Sequence, residues 1–224
     1  MFELLSTFFD GATRPDFEAD LDEKRWVVLL SDRTSGELQG FSTLMLLEVE
    51  VEGEVIQAVF SGDTIVHRDF WGEAELASVW GRFVFSLTEF MPGRRLFWFL
   101  ISKGYRTYKF LPVYFNSFYP RHDVPTPKFE AALMRALAER KYPGHYNPEK
   151  GILHFAGGKD RLVPDLAEVS ESRLRDPHIR FFQERNPGYV NGDELVCLAE
   201  LSAANLRPIA HRILARKSSG EEGS

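Results

Sequence analysis

The chain has 224 residues, 44% hydrophobic and 27% charged, with a formal net charge of −6. These proportions exclude disorder, a collagen-like repeat and a disulfide scaffold, and describe a globular protein able to bury a core. The lone Cys197 excludes an internal disulfide and any multi-cysteine metal site.

Residues 1–10 open with Phe2, Leu4, Leu5, Phe8 and Phe9, a turn and a half of amphipathic helix. They carry neither a basic leader nor a small-residue cleavage site. No apolar run reaches the ~20 residues of a membrane span, so a cytoplasmic location is expected. A polar stretch over 16–24 precedes the first strand, 26–30, which reads as buried because it is continuously apolar. Residues 38–51 form a long strand whose end alternates apolar and acidic, the mark of one solvated face. Residues 55–60 and 64–67 make a third strand, bulged at Ser61-Gly62. From Leu76 to Met91 apolar residues recur at spacings of three and four, a helix ended by Pro92-Gly93. The run 96–101 is a central strand. A helical segment over 105–119 is broken at Pro112. Thr126-Pro127 caps the next helix. Beyond Tyr142 turns dominate, around a short strand at 152–155, a last strand at 193–198 and a closing helix at 203–216. A mobile polar tail fills 217–224. There is no internal repeat and no linker demanding two domains, so one domain is expected, with a core at about 24–120 and an extension at about 142–216.

Charge is unevenly spread. Residues 1–60 hold thirteen acids against four bases, whereas 94–121 hold six cations and no acid. The same stretch carries ten aromatic side chains. Interleaved in this way, cations and aromatics can face a phosphate-bearing partner, or can be the solvated and buried sides of ordinary elements. The overall pI of about 5.6 argues against a nucleic-acid binder.

The junction with most chemical content is the strand-to-helix turn from Val66 to Leu76. A glycine at a long helix's start leaves N–H groups open to a ligand, at the end favourable to anions. Val66-His67, then Asp69-Phe70-Trp71-Gly72-Glu73-Ala74, resembles the pyrophosphate-binding turn of the GNAT superfamily of acyl-CoA-dependent N-acyltransferases, which reads Gln/Arg-x-x-Gly-x-Gly/Ala and often follows Val-His-Pro. Asp69 stands where that family has Gln or Arg, and Glu73 adds a second carboxylate that would repel a pyrophosphate. Residues 107–114 match the spacing of the family's Asn-x-x-Ala-x-x-Leu-Tyr element, with Thr107 for Asn and Phe110 for Ala.

The resemblance, over about 26–118, implies an α/β fold: a GNAT-like mixed, largely antiparallel central sheet flanked by helices, with a C-terminal extension. It implies an enzyme that moves an acyl group, fatty acyl included, from a CoA or acyl carrier protein thioester to an amine of a small molecule or peptide. No cofactor is held permanently; acyl-CoA or acyl-pantetheine is the co-substrate. Asp69, Phe70, Trp71, Gly72, Glu73, Ala74 and Arg106 would hold the donor, the stretch 94–121 would dock an acidic carrier, and Tyr114 would be the general acid, with Tyr108 as rival. The base would come from His67 or Asp63, ahead of Glu48 and Glu50. The alternative is a non-catalytic GNAT-like module that binds an acylated carrier or ligand. No metal is expected, since the six histidines lack ligand spacing.

Overall fold

The computed structural model describes residues 1–215 apart from Glu73, Pro92 and Gly157. The chain opens with α1 (Phe2–Ser6), β1 (Phe9–Asp10) and α2 (Arg14–Asp22), followed by the meander β2 (Trp26–Ser31), β3 (Leu38–Val51) and β4 (Glu54–Val66). Helix α3 (Glu75–Glu89) leads to β5 (Leu96–Ser102), then to α4 (Tyr105–Tyr108), α5 (Phe110–Tyr114) and α6 (Lys128–Lys141). The remainder supplies β6 (Tyr146–Asn147), β7 (Ile152–Leu153), β8 (Arg161–Leu162), α7 (Pro164–Ala167), α8 (Pro177–Arg185), β9 (Glu194–Glu200) and α9 (Pro208–Leu214).

Among the described residues the main sheet has seven strands in the order β2-β3-β4-β5-β9-β7-β6, and β1 pairs with β8 apart from it. Every pairing is antiparallel except β4 with β5. This is the expected mixed, largely antiparallel sheet flanked by helices. Residues beyond Tyr142 do more than extend it, for β9 lies directly against β5. The weak signals there come from very short strands in a turn-rich segment.

Two apolar layers sandwich the sheet. On one face Leu44, Val59, Trp98 and Leu100 pack with α3, α4, α5, α8 and α9. On the other Ile56, Phe60, Phe97 and Phe99 meet Leu133 and Leu137 of α6, while Phe41 and Ile65 are covered by Leu5 and Phe17 from α1 and α2.

Several local expectations change. The polar stretch at 16–24 is largely helix α2, capped by the Thr13 hydroxyl, which accepts from the Asp16 N–H at 3.3 Å. Strand β2 is an edge strand, so its run is buried on one face only and Leu29 is 58% exposed. The break in 105–119 falls at Lys109 rather than at Pro112. Pro112 lies in the first turn of α5, where an N–H has no helical partner to lose. Thr126 makes no capping bond, and Pro127 itself is the N-cap of α6. The tail at 217–224 lies outside the described residues.

Candidate functional site: a forked sheet with an apolar and a charged side

Strands β4 and β5 pair in parallel only from Gln57↔Leu96 to Ser61↔Leu100. Past that point β4 follows β3, with Thr64 opposite Ser42, while Ile101 and Ser102 follow β9. The sheet therefore forks, and main-chain groups of β4 beyond Ser61 face the opening without a strand partner. At the root of the fork the register shifts between Ser42 and Leu44. Two β4 residues, Gly62 and Asp63, stand there against Thr43 alone. The sequence places the bulge one residue early. A Cβ at Gly62 would meet Thr43 Oγ1 at 2.5 Å and Lys24 Cε at 2.6 Å, so only glycine lets these side chains close on the bulge.

The bulge sends Asp63 to the face of α2 and α6, into a group of charges. Lys24 Nζ lies 2.5 Å from Asp20 Oδ2, and Lys141 Nζ reaches Asp20 at 3.4 Å and Glu23 at 2.6 Å. Lys103 bridges Asp160 at 2.7 Å and the buried Glu194 at 3.2 Å, and Lys159 holds Glu194 at 3.2 Å. Burial alone would push the Glu194 carboxyl up, but Lys159 and Lys103 outweigh it and hold the pKa below its usual value. Asp63 differs. Among the described residues it makes no hydrogen bond or ion pair, and burial, reinforced by the Asp20 and Asp160 carboxylates, raises its pKa to about 6. Four lysines thus face five carboxylates, leaving Asp63 as the one without a cation.

On the opposite face the fork opens on a cavity of about 150 Å³. Its floor is the sheet, at Ser61, Thr64, Trp98 and Leu100; its walls are α3 and the α4–α5 pair, and its roof is α9. The Ser61 hydroxyl accepts from the Trp98 indole at 2.9 Å, and the Thr64 hydroxyl shares a 2.8 Å hydrogen bond with Ser42. Tyr114 lines the cavity, its pKa raised by burial, so the phenol stays protonated and able to donate. Its rival is excluded by packing. Tyr108 is fully buried and donates to the Pro120 carbonyl at 2.9 Å, with burial pushing its pKa up as well.

The expected base and anion turn fare differently. His67 caps the 3₁₀ turn Arg68–Phe70, its Nδ1 accepting from the Asp69 N–H at 3.4 Å, and it does not line the cavity. Asp69 is 82% exposed with its carboxylate 3.6 Å from His67. Trp71 donates to the Val66 carbonyl at 2.8 Å, and the guanidinium of Arg106 lies 5.3 Å over its ring. Phe70 packs its ring 6.2 Å from His67. Gly72 has φ +95°, a left-handed conformation that glycine supplies freely. Ala74 is the N-cap of α3 with no side-chain capping bond, so among the described residues no N-cap side chain covers the first N–H groups of that helix. Glu73 lies outside the described residues.

The cationic docking wall expected over 94–121 is not there. Arg95 pairs with Glu200 at 2.8 Å, Lys103 with Asp160, Lys109 with Asp176 and Arg121 with Asp123, while Arg106 donates to the Leu166 carbonyl at 2.7 Å. Phe97, Phe99, Tyr105, Tyr108, Phe115 and Phe118 are core. The acids missing from the stretch come mostly from the second half of the chain. Sequence reasoning likewise missed Lys24, Lys103, Lys141, Lys159 and Glu194 around Asp63. The one signal available was Glu194, an acid heading an otherwise apolar strand.

No protein-family model matches the chain, and no curated protein does. Some solved structures are similar over part of it. A variant of the AtaT toxin bound to the C-terminus of the antitoxin AtaR and acetyl-CoA is 19% identical over 44% of this chain and 62% of that one, with a TM-score of 0.35. The chain thus spans less than two thirds of that protein's length. A KacTA–DNA complex is 19% identical over 46% and 70%, TM-score 0.32. The BH1408 protein of Bacillus halodurans, as a tetramutant, is 14% identical over 52% and 76%, TM-score 0.37. Likeness at this level adds nothing to the geometry above. No helix among the described residues is long and apolar enough to cross a membrane, and no group of three or more potential metal ligands occurs among them.

Proposed function

We propose that the protein is an N-acyltransferase that moves an acyl group, a fatty acyl chain included, from a CoA or pantetheine thioester to an amine. The observation that carries this reading is Asp63, an unpaired carboxylate with a pKa of about 6 at the root of a sheet fork. A monocation is what the charged face lacks, and the ammonium of an acceptor is one. Near neutral pH the ionised Asp63 takes a proton from that ammonium. The freed nitrogen attacks the thioester carbonyl carbon through the fork. Main-chain donors of β4 at the opening meet the negative charge developing on the carbonyl oxygen. The C–S bond then breaks, and the departing thiolate takes its proton from the Tyr114 hydroxyl on the cavity side. The nitrogen, now an amide, gives up its second proton, which restores the phenol, and the proton on Asp63 is released to solvent.

Donor phosphates are assigned to the turn at Gly72 and the uncapped N–H groups at Ala74, with Arg106 beside Trp71. Asp69 and Glu75 make that turn acidic, which favours a donor with few phosphates there, as in the pantetheine arm of a carrier. The acceptor is an amine-bearing small molecule or peptide. The test is thiol release from acyl-CoA in the presence of candidate amines. Turnover abolished by Asp63→Asn supports the reading. Binding of donor without turnover, unaffected by Tyr114→Phe, would establish the alternative, a non-catalytic module.

A further inference from the structure

The charged side of the fork is selective in what it can seat. Ser42 and Thr64, bonded to each other, face the cavity. Alternation along β3 therefore turns Thr43 to the face of α2 and α6, where the bulge also sends Asp63. Thr43 is 1% exposed, and its Oγ1 has no hydrogen-bond partner among the described residues. That oxygen lies 2.5 Å from where a Cβ of Gly62 would stand, so the glycine leaves it open to the bulge. Two polar groups without partners, the Thr43 hydroxyl and the Asp63 carboxylate, thus stand at one bulge.

The four lysines of this face are already held. Lys24 and Lys141 pair with Asp20 and Glu23, and Lys103 and Lys159 with Asp160 and Glu194. Three of their heads also lie over rings: Lys24 at 5.6 Å from Phe60, Lys141 at 4.7 Å from Tyr142, and Lys159 at 4.7 Å from Phe155. The side chains of Lys24 and Lys141 are 0% and 6% exposed, so neither can turn to a ligand without stranding a carboxylate. The face can therefore take a cation but not an anion. A carboxylate beside the incoming ammonium would meet Asp20 and Asp160 with no lysine to spare. Solvent reaches the group over Asp20 and Lys159, both 32% exposed.

We infer that Thr43 and Asp63 together seat the ammonium of the acceptor, and that the acceptor is a primary alkylamine with no carboxylate beside its nitrogen, a lysine side chain of a peptide included and a free amino acid excluded. A primary ammonium carries donors for both groups at once. What the amine becomes rests on the transferase reading; its binding does not.

The test compares amines of one carbon skeleton: pentylamine, norleucine, which adds a carboxylate, and norleucinamide, which adds a neutral group of the same size. Binding to the full chain is read by calorimetry. Pentylamine and norleucinamide should bind, and norleucine should bind about tenfold more weakly than norleucinamide, or worse. Thr43→Val keeps the shape and removes the hydroxyl. It should weaken pentylamine binding about tenfold without lowering the unfolding midpoint, because that hydroxyl has no partner to lose in the free protein. Thr43→Ser should restore the affinity. Norleucine bound as tightly as norleucinamide, pentylamine not bound at all, or unchanged affinity in Thr43→Val overturns the inference. If Thr43→Val does not fold, the amine series on the parent chain decides alone. Thiol release from acetyl-CoA with the same amines separates the two readings. Selective binding without release for any amine sinks the transfer reaction and keeps the seat. Release that is equal for norleucine and norleucinamide, and unchanged in Thr43→Val, does the reverse.

Discussion

The two sides of the fork are built on opposite principles. On the α3–α9 side Trp80, Trp98, Phe110 and Leu214 surround a nearly apolar cavity whose floor hydroxyls are already satisfied. On the α2–α6 side lysines and carboxylates pair at 2.5–3.4 Å around Asp63. Trimming an apolar wall costs the transfer and cavity terms of the atoms removed. Breaking a buried ionic group also strands the partner left behind. The two sides meet across one bulge in β4.

The largest break should come from the charged side. Glu194→Ala leaves Lys103 and Lys159 facing each other without their shared carboxylate, so stability should fall by about 3–5 kcal/mol in denaturant unfolding. A loss under 1 kcal/mol would show that water already screens this group.

Asp63→Asn separates function from stability. Turnover should drop by about 10²–10⁴. The folded carboxyl titrates at about 6 against an ordinary 3.8. Below pH 3.8 it is protonated in both states, and the native protein bears no penalty. As pH rises to 6 and beyond, ionising the buried group destabilises the native state. The asparagine variant should therefore be more stable than the parent at pH 8, by about 3 kcal/mol, with no difference near pH 3. For the same reason, the activity of the parent should climb with pH through about 6. A rate flat from pH 5 to 8 would remove Asp63 from the role of base.

Tyr114→Phe tests the apolar side. The rate should fall about 10²-fold or more, while donor affinity stays within twofold, about 0.4 kcal/mol. A loss confined to affinity would make the tyrosine a wall and not an acid. The smallest effect belongs to the sheet edge. Leu29→Lys, at a position 58% exposed, should change stability by no more than about 0.5 kcal/mol. A large loss would mean that this edge is covered in solution.

The parts legible in the sequence are those governed by local periodicity. Strand β3 has the bounds read from its pattern, 38–51, and α3 lies where the three- and four-residue spacing of Leu76, Val79, Trp80, Phe83 and Val84 puts it. Motif spacing points to Tyr114, which lines the cavity, and the place after Ser61-Gly62 points to Asp63, which sits in the bulge. His67 reads as a base in the sequence, yet its ring caps the next turn, a backbone contact with no sequence period. The stretch 94–121 looks like a cationic wall in the sequence because its counter-charges, Asp160, Asp176 and Glu200, are remote along the chain.

By itself the sequence determined the element types, the meander, the long amphipathic helix and the glycine-led turn between them, because each depends on side chains within a turn or a strand of one another. Only the tertiary structure decided that β4 and β5 part company after Ser61 and Leu100, that β9 enters the sheet beside β5, and that α9 roofs the cavity. Those outcomes depend on long-range pairing and on the burial of charges contributed by distant segments, and no local pattern encodes them. The raised pKa of Asp63 is of this second kind: its desolvation and its neighbours Asp20 and Asp160 exist only once the chain has folded.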